Sequence, residues 1–182
     1  MLGLMRFGAG VPHDRLAKWQ KDFGIPLPAA TQWEQIEKTV PALKPVYEKL
    51  IDLAATGQVI HNDDTGMRVQ SLRQEIQQAT EKKARKGIFT TAIVAQADGH
   101  TIALFFTGRH HAGENLGQLL RRRPGGLAPP IQMCDALSRN PSKEFQTILS
   151  HCLVHARRGF VDIVEDFPQE CRQVLESLSE VY

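Results

Sequence analysis

Residues 59–72, VIHNDDTGMRVQSL, place two carboxylates, Asp63 and Asp64, inside a run whose apolar members (Val59, Ile60, Met67, Val69, Leu72) favour a sheet. A charged pair in a buried strand costs on the order of several kcal/mol unless something neutralises it. A divalent cation does so, because hard Mg²⁺ takes carboxylate oxygens and keeps several of its waters. A further carboxylate, Asp135, ends the apolar run 130–135, PIQMCD. If these two strands lie side by side, their aspartates, Asp63 or Asp64 on one and Asp135 on the other, hold Mg²⁺ for phosphodiester chemistry. In such chemistry two ions about 4 Å apart activate the attacking oxygen and stabilise the leaving one. Plainer readings stay open. Asp-Asp-Thr-Gly is good turn chemistry, and Asp135 could cap a helix together with Ser138.

Other residue types invite other chemistry. His151, Cys152 and His155, with Cys171 as a distant fourth, suggest zinc, but their spacing is irregular for a tetrahedral site. A half-buried cysteine and a histidine capping a helix is the better account. Residues 108–117, GRHHAGENLG, lack the Gly-Lys-Ser/Thr ending of a phosphate loop. Basic residues cluster at 81–86, EKKARK, and over 109–123, where four arginines and two histidines meet one glutamate. Arg109, Arg121, Arg122, Arg157 and Arg158 are the candidates for DNA phosphates. Solvated loops remain the competing explanation.

The elements that must position these groups follow from pattern. Residues 13–23 space Leu16, Trp19 and Phe23 as one face of a short helix, which Gly24 stops. A second helix begins near Ala29 behind Pro28 and carries Trp33, Ile36 and Val40. Helix, glycine turn and helix outline a helix-turn-helix, though most such pairs are merely packed helices. Pro41 and Pro45 break or kink the path before a helix over 46–55, closed by Gly57. Residues 73–87 read as a polar loop with a short helical turn. Strands follow at 88–95 and 101–106, joined by an Asp98-Gly99 hairpin turn. A helix over 112–122, a strand over 131–135, a helix over 140–149 and a short strand over 151–154 come next. Residues 155–164 and 168–182 look helical, the latter with Cys171, Val174, Leu175 and Leu178 on one face. Three antiparallel strands, a helix, a strand, a helix and a short strand is the order of an α/β, ribonuclease-H-like core, preceded here by N-terminal helices. In that fold carboxylates of the first and fourth strands are neighbours.

Bulk properties set the outer bounds. A chain of 182 residues suits one domain with an appendage and can bury about 70% of its unfolded surface. Its 42% hydrophobic and 23% charged content is that of an ordinary globular protein. A net charge of +2 does not by itself mark a nucleic-acid binder. Three cysteines without paired spacing argue against a disulfide framework and for a reducing cytoplasm. Neither a signal peptide nor an 18-residue apolar run is present, so no membrane partner is expected.

Several stretches together carry a family likeness. IHNDDTGMRV resembles the His-x-Asp-acidic-Thr signature of the insertion-sequence-sixty-six transposases. FFTGRHHAGENL, IQMCDALSRN and HCLVHARRGFVDI follow in the family's order, and RFGAGVPHDRLAKWQKDFGIPLPAATQW resembles the segment before its catalytic core. The resemblance implies a DNA transposase of Asp-Asp-Glu type that cleaves element ends with Mg²⁺ and transfers the strand to target DNA. It also leaves room for self-association. Asp63 would be the first acid, with the adjacent Asp64 as the fallback ligand, and Asp135 the second. It divides the chain into a DNA-binding segment over 1–57, an incomplete catalytic core over 58–160, and the start of a helical insertion over 161–182. The third acid, in an Asn-Asn-x-x-Glu-Arg stretch, would follow that insertion, and no Asn-Asn pair occurs here. Nor does anything match the family's zinc-finger-like segment. The expectation is therefore a truncated, catalytically incomplete copy, with a non-catalytic DNA-binding remnant acting at element ends as the alternative. Glu170, Glu165 and Asp162 are the stand-ins weighed for the third acid, and a small nuclease built on Glu170 is the weakest reading.

Overall fold

A computed structural model describes residues 1–78 and 87–181. The basic cluster at 81–86 lies outside the described residues. The chain divides into two compact units, Met1–Lys49 and Leu50–Tyr182.

The first unit holds a π-helical turn (Leu4–Gly8), α1 (His13–Asp22), α2 (Ala29–Glu37) and the beginning of α3 (Val40–Ala55). Gly24, at φ 75°, ends α1 in the left-handed region that glycine adopts without steric cost. α1 and α2 meet around Leu16 and a polar residue, Gln32, which has no exposed surface. The Gln32 amide donates to the Leu27 carbonyl at 2.9 Å and to Gln20 Oε1 at 3.2 Å, while its oxygen lies 3.3 Å from His13 Nδ1. Of the break or kink expected at Pro41 and Pro45, the break does not occur. Both lie within α3, Pro41 in its first turn, where a missing N–H costs nothing.

The second unit is α/β. Its strands are β1 (Val59–Gly66), β2 (Phe89–Ala97), β3 (His100–Gly108), β4 (Ile131–Cys134) and β5 (Ile148–His151). They form one mixed sheet in the order β3-β2-β1-β4-β5. β1, β2 and β3 pair antiparallel, and β4 and β5 run parallel to β1. The β2–β3 hairpin turns through Asp98 (φ 49°) and Gly99 (φ 76°), as the Asp-Gly pair predicts. The helices are α4 (Gln70–Gln78), α5 (Ala112–Leu120), α6 (Leu153–Asp162) and α7 (Pro168–Ser179).

One face of the sheet is dry. Ile60, Ile93, Ala95, Ile102 and Leu104 point to it, and Leu116, Leu119 and Leu120 of α5, with Ile51, Ala54 and Ala55 of α3, close over them. Arg123 ties the end of α5 to this layer, donating to the Ala55, Gly57 and Ala128 carbonyls at 2.7–2.8 Å. Burial lowers its pKa. The third arginine of the triplet thus serves the fold.

Two expected elements differ. The first strand stops at Gly66, and Gln70–Gln78 is helical rather than loop. The helix expected over 140–149 does not form: residues 135–147 are irregular, and Ile148 already opens β5. Pro141 disfavours helical backbone at Asn140, and the Asn140 carbonyl is taken by two side chains, Asn62 Nδ2 and Gln132 Nε2, each at 2.9 Å.

A candidate metal centre on the open face

Side chains alternate along a strand, so adjacent residues point to opposite faces. In β1 that rule separates the two aspartates. Ile60, Asn62 and Asp64 point toward α5, and His61 and Asp63 point the other way. Parallel pairing sets His61 opposite Met133, so two residues further on Asp63 and Asp135 leave their strands side by side.

On this open face one ligand atom from each of Asp63, Asp135 and His155 lies within 4.8 Å of the other two. Among the described residues this is the one group of three or more such side chains close enough to share an ion. The three line a cavity of about 230 Å³ with His61, Ala92, Val94, Met133, Cys134 and Cys152. Each carboxylate is held by one oxygen. Asp63 Oδ1 accepts the Asp64 N–H at 2.8 Å; Asp135 Oδ1 accepts the Leu137 N–H at 3.1 Å and the Asn140 side-chain amide. The second oxygen of each is left for another partner.

Beneath Asp135 lies a buried polar lattice. Asn62, Gln132 and Asn140 are each 3% exposed or less. Gln132 Nε2 donates to Asn62 Oδ1 at 2.9 Å, and Gln132 Oε1 accepts from Thr147 at 2.9 Å. Together with the shared Asn140 carbonyl, these bonds pin residues 135–147 to β1 and β4. A Cβ on Gly113 would lie 2.7 Å from the Arg139 carbonyl and nearer still to that of Pro141, so only glycine lets α5 approach this loop.

Asp64 is spent elsewhere. Its carboxylate is 3% exposed and accepts from Thr91 Oγ1 at 2.6 Å and the Ala112 N–H at 2.9 Å, with His111 Nδ1 at 3.3 Å. An anion at the N-terminus of α5 is also favoured by the helix dipole. Asn115 extends the chain by donating to Thr91 Oγ1 at 2.7 Å. Asp64 therefore anchors α5 and stands on the wrong face to share an ion with Asp135.

The remaining candidates scatter. Cys134 is buried beside the pair; desolvation first, then the Asp135 and Asp63 charges and Cys152, push its thiol pKa up. His151, Cys152 and Cys171 do not join His155 in a zinc set. Glu170, Glu165 and Asp162 do not join the aspartates. Arg121 forms a bidentate pair with Glu144 at 2.8–3.0 Å, and Arg122 reaches Asp52 at 3.2 Å. Arg157 and Arg158 are exposed on α6, and Arg109 is engaged within the chain. Sequence reasoning weighed His155 only for a zinc set or within a helix cap. The residue sits in the first turn of α6 facing the aspartates instead of capping the helix, and only its place three residues after Cys152 hinted at this.

Residues 3–182 match a known family, described as Transposase IS66 family. The chain belongs to the IS66 family of transposases. No curated protein and no solved structure matches it. Membership carries a role in transposition of insertion sequences, interaction with DNA and use of a divalent metal. The open-face group fits such an ion by its donor set: hard carboxylate oxygens and one imidazole on three separate segments. Among the described residues no helix of this transposase is long and apolar enough to cross a membrane.

Proposed function

We propose that the chain acts in metal-dependent cleavage and transfer of DNA strands at insertion-sequence ends, with Asp63 and Asp135 as its metal-holding carboxylates. The observation that carries this reading is the convergence of both carboxylates, from adjoining parallel strands, on one open cavity. The strand order β3-β2-β1-β4-β5, with β2 reversed between its neighbours, supports a ribonuclease-H-like core in which the first and fourth strands deliver acids. When bound, Mg²⁺ or a similar ion supplies Lewis acidity toward a phosphodiester and a more acidic bound water.

The chain's own residues do the rest. Asp63 and Asp135 keep one oxygen each free toward the cavity because the other is held by backbone or Asn140. The Asn62–Gln132–Asn140 lattice keeps the pair from splaying. Arg157 and Arg158, on the helix that carries His155, offer cations to the phosphates on either side of a scissile bond; Arg109, Arg121 and Arg122 are secondary candidates, two of them already paired with acids. The α1–α2 pair is the proposed second DNA contact. Self-association on DNA and a cytoplasmic location belong to the same reading.

Among the described residues no third carboxylate joins the pair, so the reading expects metal and DNA binding with weak nicking. The test is a gel-shift and nicking assay on duplexes carrying element ends, with and without Mg²⁺ or Mn²⁺. Asp63→Asn and Asp135→Asn should each remove the metal-dependent part of DNA binding. If both variants bind DNA as the wild type does, at every metal concentration, the chain is a non-catalytic DNA-binding remnant instead. Strong nicking that survives both substitutions would place the chemistry elsewhere.

A further inference from the structure

We infer that His155 is a third metal ligand of this centre and that its imidazole shifts the centre's preference from Mg²⁺ toward transition-metal ions such as Mn²⁺ and Co²⁺. The inference rests on the reading of Asp63 and Asp135 as the metal pair.

The backbone makes His155 a fixed member of the group. β5 ends at His151, and the Cys152 N–H donates to the Cys134 carbonyl at 2.8 Å, one residue before Asp135. α6 begins at the next residue, so His155 lies within its first turn, directly over the ends of β1 and β4. Ligands on opposite sides of an ion at about 2.1 Å are about 4.2 Å apart. The limit of 4.8 Å on the three atoms is therefore close to a coordination shell, and small side-chain rotations complete it. Neither His155 nitrogen is taken by a hydrogen bond among the described residues.

Ligand chemistry then decides the ion. Mg²⁺ demands oxygen ligands and gives up water reluctantly, whereas imidazole nitrogen binds first-row transition metals with affinity rising from Mn²⁺ through Co²⁺. Two carboxylates and one imidazole leave roughly three positions of an octahedron for water or phosphate oxygens.

The full chain should be titrated with Co²⁺ alone and followed by visible d–d absorption and calorimetry, then with Mg²⁺ in competition. Loss of an outer-shell partner alone costs about 10–100-fold in metal affinity, so His155→Ala should weaken Co²⁺ binding by at least about 100-fold while reducing Mg²⁺ binding far less. His155→Glu should reverse the preference in favour of Mg²⁺, a result that a merely structural histidine would not produce. Circular dichroism and thermal melting of both variants must match the wild type, and His155→Gln serves if alanine unfolds α6. If Co²⁺ binds the His155 variants normally but is lost in Asp63→Asn and Asp135→Asn, the histidine is no ligand and the carboxylate pair stands. If neither aspartate variant alters binding, both readings fall. A thiolate-to-cobalt charge-transfer band would put a cysteine in the shell and overturn the assignment of His155.

Discussion

Asp63 and Asp64 are one peptide bond apart and live in different environments. Asp64 faces α5, is almost wholly buried, and has every nearby donor turned toward it: the Thr91 hydroxyl, the Ala112 N–H and the His111 ring. Asp63 faces the opposite side, is exposed, accepts the Asp64 N–H, and lies beside another acid and a histidine. A carboxylate that is buried and satisfied contributes to folding, whereas two like charges placed together repel each other until a cation arrives. One face of the sheet is thus dry and satisfied, and the other brings two like charges together on an exposed cavity.

Breaking the contrast at its buried end should have the largest effect. Asp64→Ala leaves the Thr91 hydroxyl and the Ala112 N–H unpaired and should cost about 2–4 kcal/mol in urea unfolding. Asp63→Ala should change stability by no more than about 0.5 kcal/mol, or raise it, because it relieves repulsion from Asp135. Equal losses from the two substitutions would erase the distinction between the faces. Asn140 joins both sides, so Asn140→Ala sharpens the comparison. It should cost about 1–3 kcal/mol and, by freeing Asp135, lower Mn²⁺ affinity about 10–100-fold, read by calorimetry; unchanged metal affinity in a folded variant would mean that Asp135 is positioned without the lattice. The smallest effect belongs to the solvent-facing arginines. Arg158→Ala should leave thermal stability unaltered and reduce the salt slope of DNA binding by about one, whereas Arg121→Ala, which breaks a pair with Glu144, should change it less.

Much of the second unit was legible locally. Alternating apolar residues marked the strands, Asp98-Gly99 marked the hairpin, and the Asp63-Asp64 pair and Asp135 marked the two strand ends that border the cavity. What escaped was long-range. The stretch 140–149 has helix-compatible spacing, yet the Asn140 carbonyl is taken by Asn62, 78 residues earlier. Arg123 read as one more surface cation until its carbonyl partners at 55 and 57 were in place. In the first unit, the buried Gln32 gave no local sign, since a glutamine is buried only when its partners, here Gln20 and Leu27, converge on it.

The sequence alone determined the family and most of the strands, and it singled out the Asp63-Asp64 pair and Asp135 as candidate ligands. Those properties follow from short-range pattern and from motifs that sit within single segments. Only the tertiary structure decided which of two adjacent aspartates faces the cavity, that residues 140–147 form a strap instead of a helix, and that His155 stands with the acids. The reason is that parity along a strand fixes two opposite directions but not which is dry. Packing α5 onto one face, and joining β4 to α6 through the Cys134–Cys152 hydrogen bond, settles that choice.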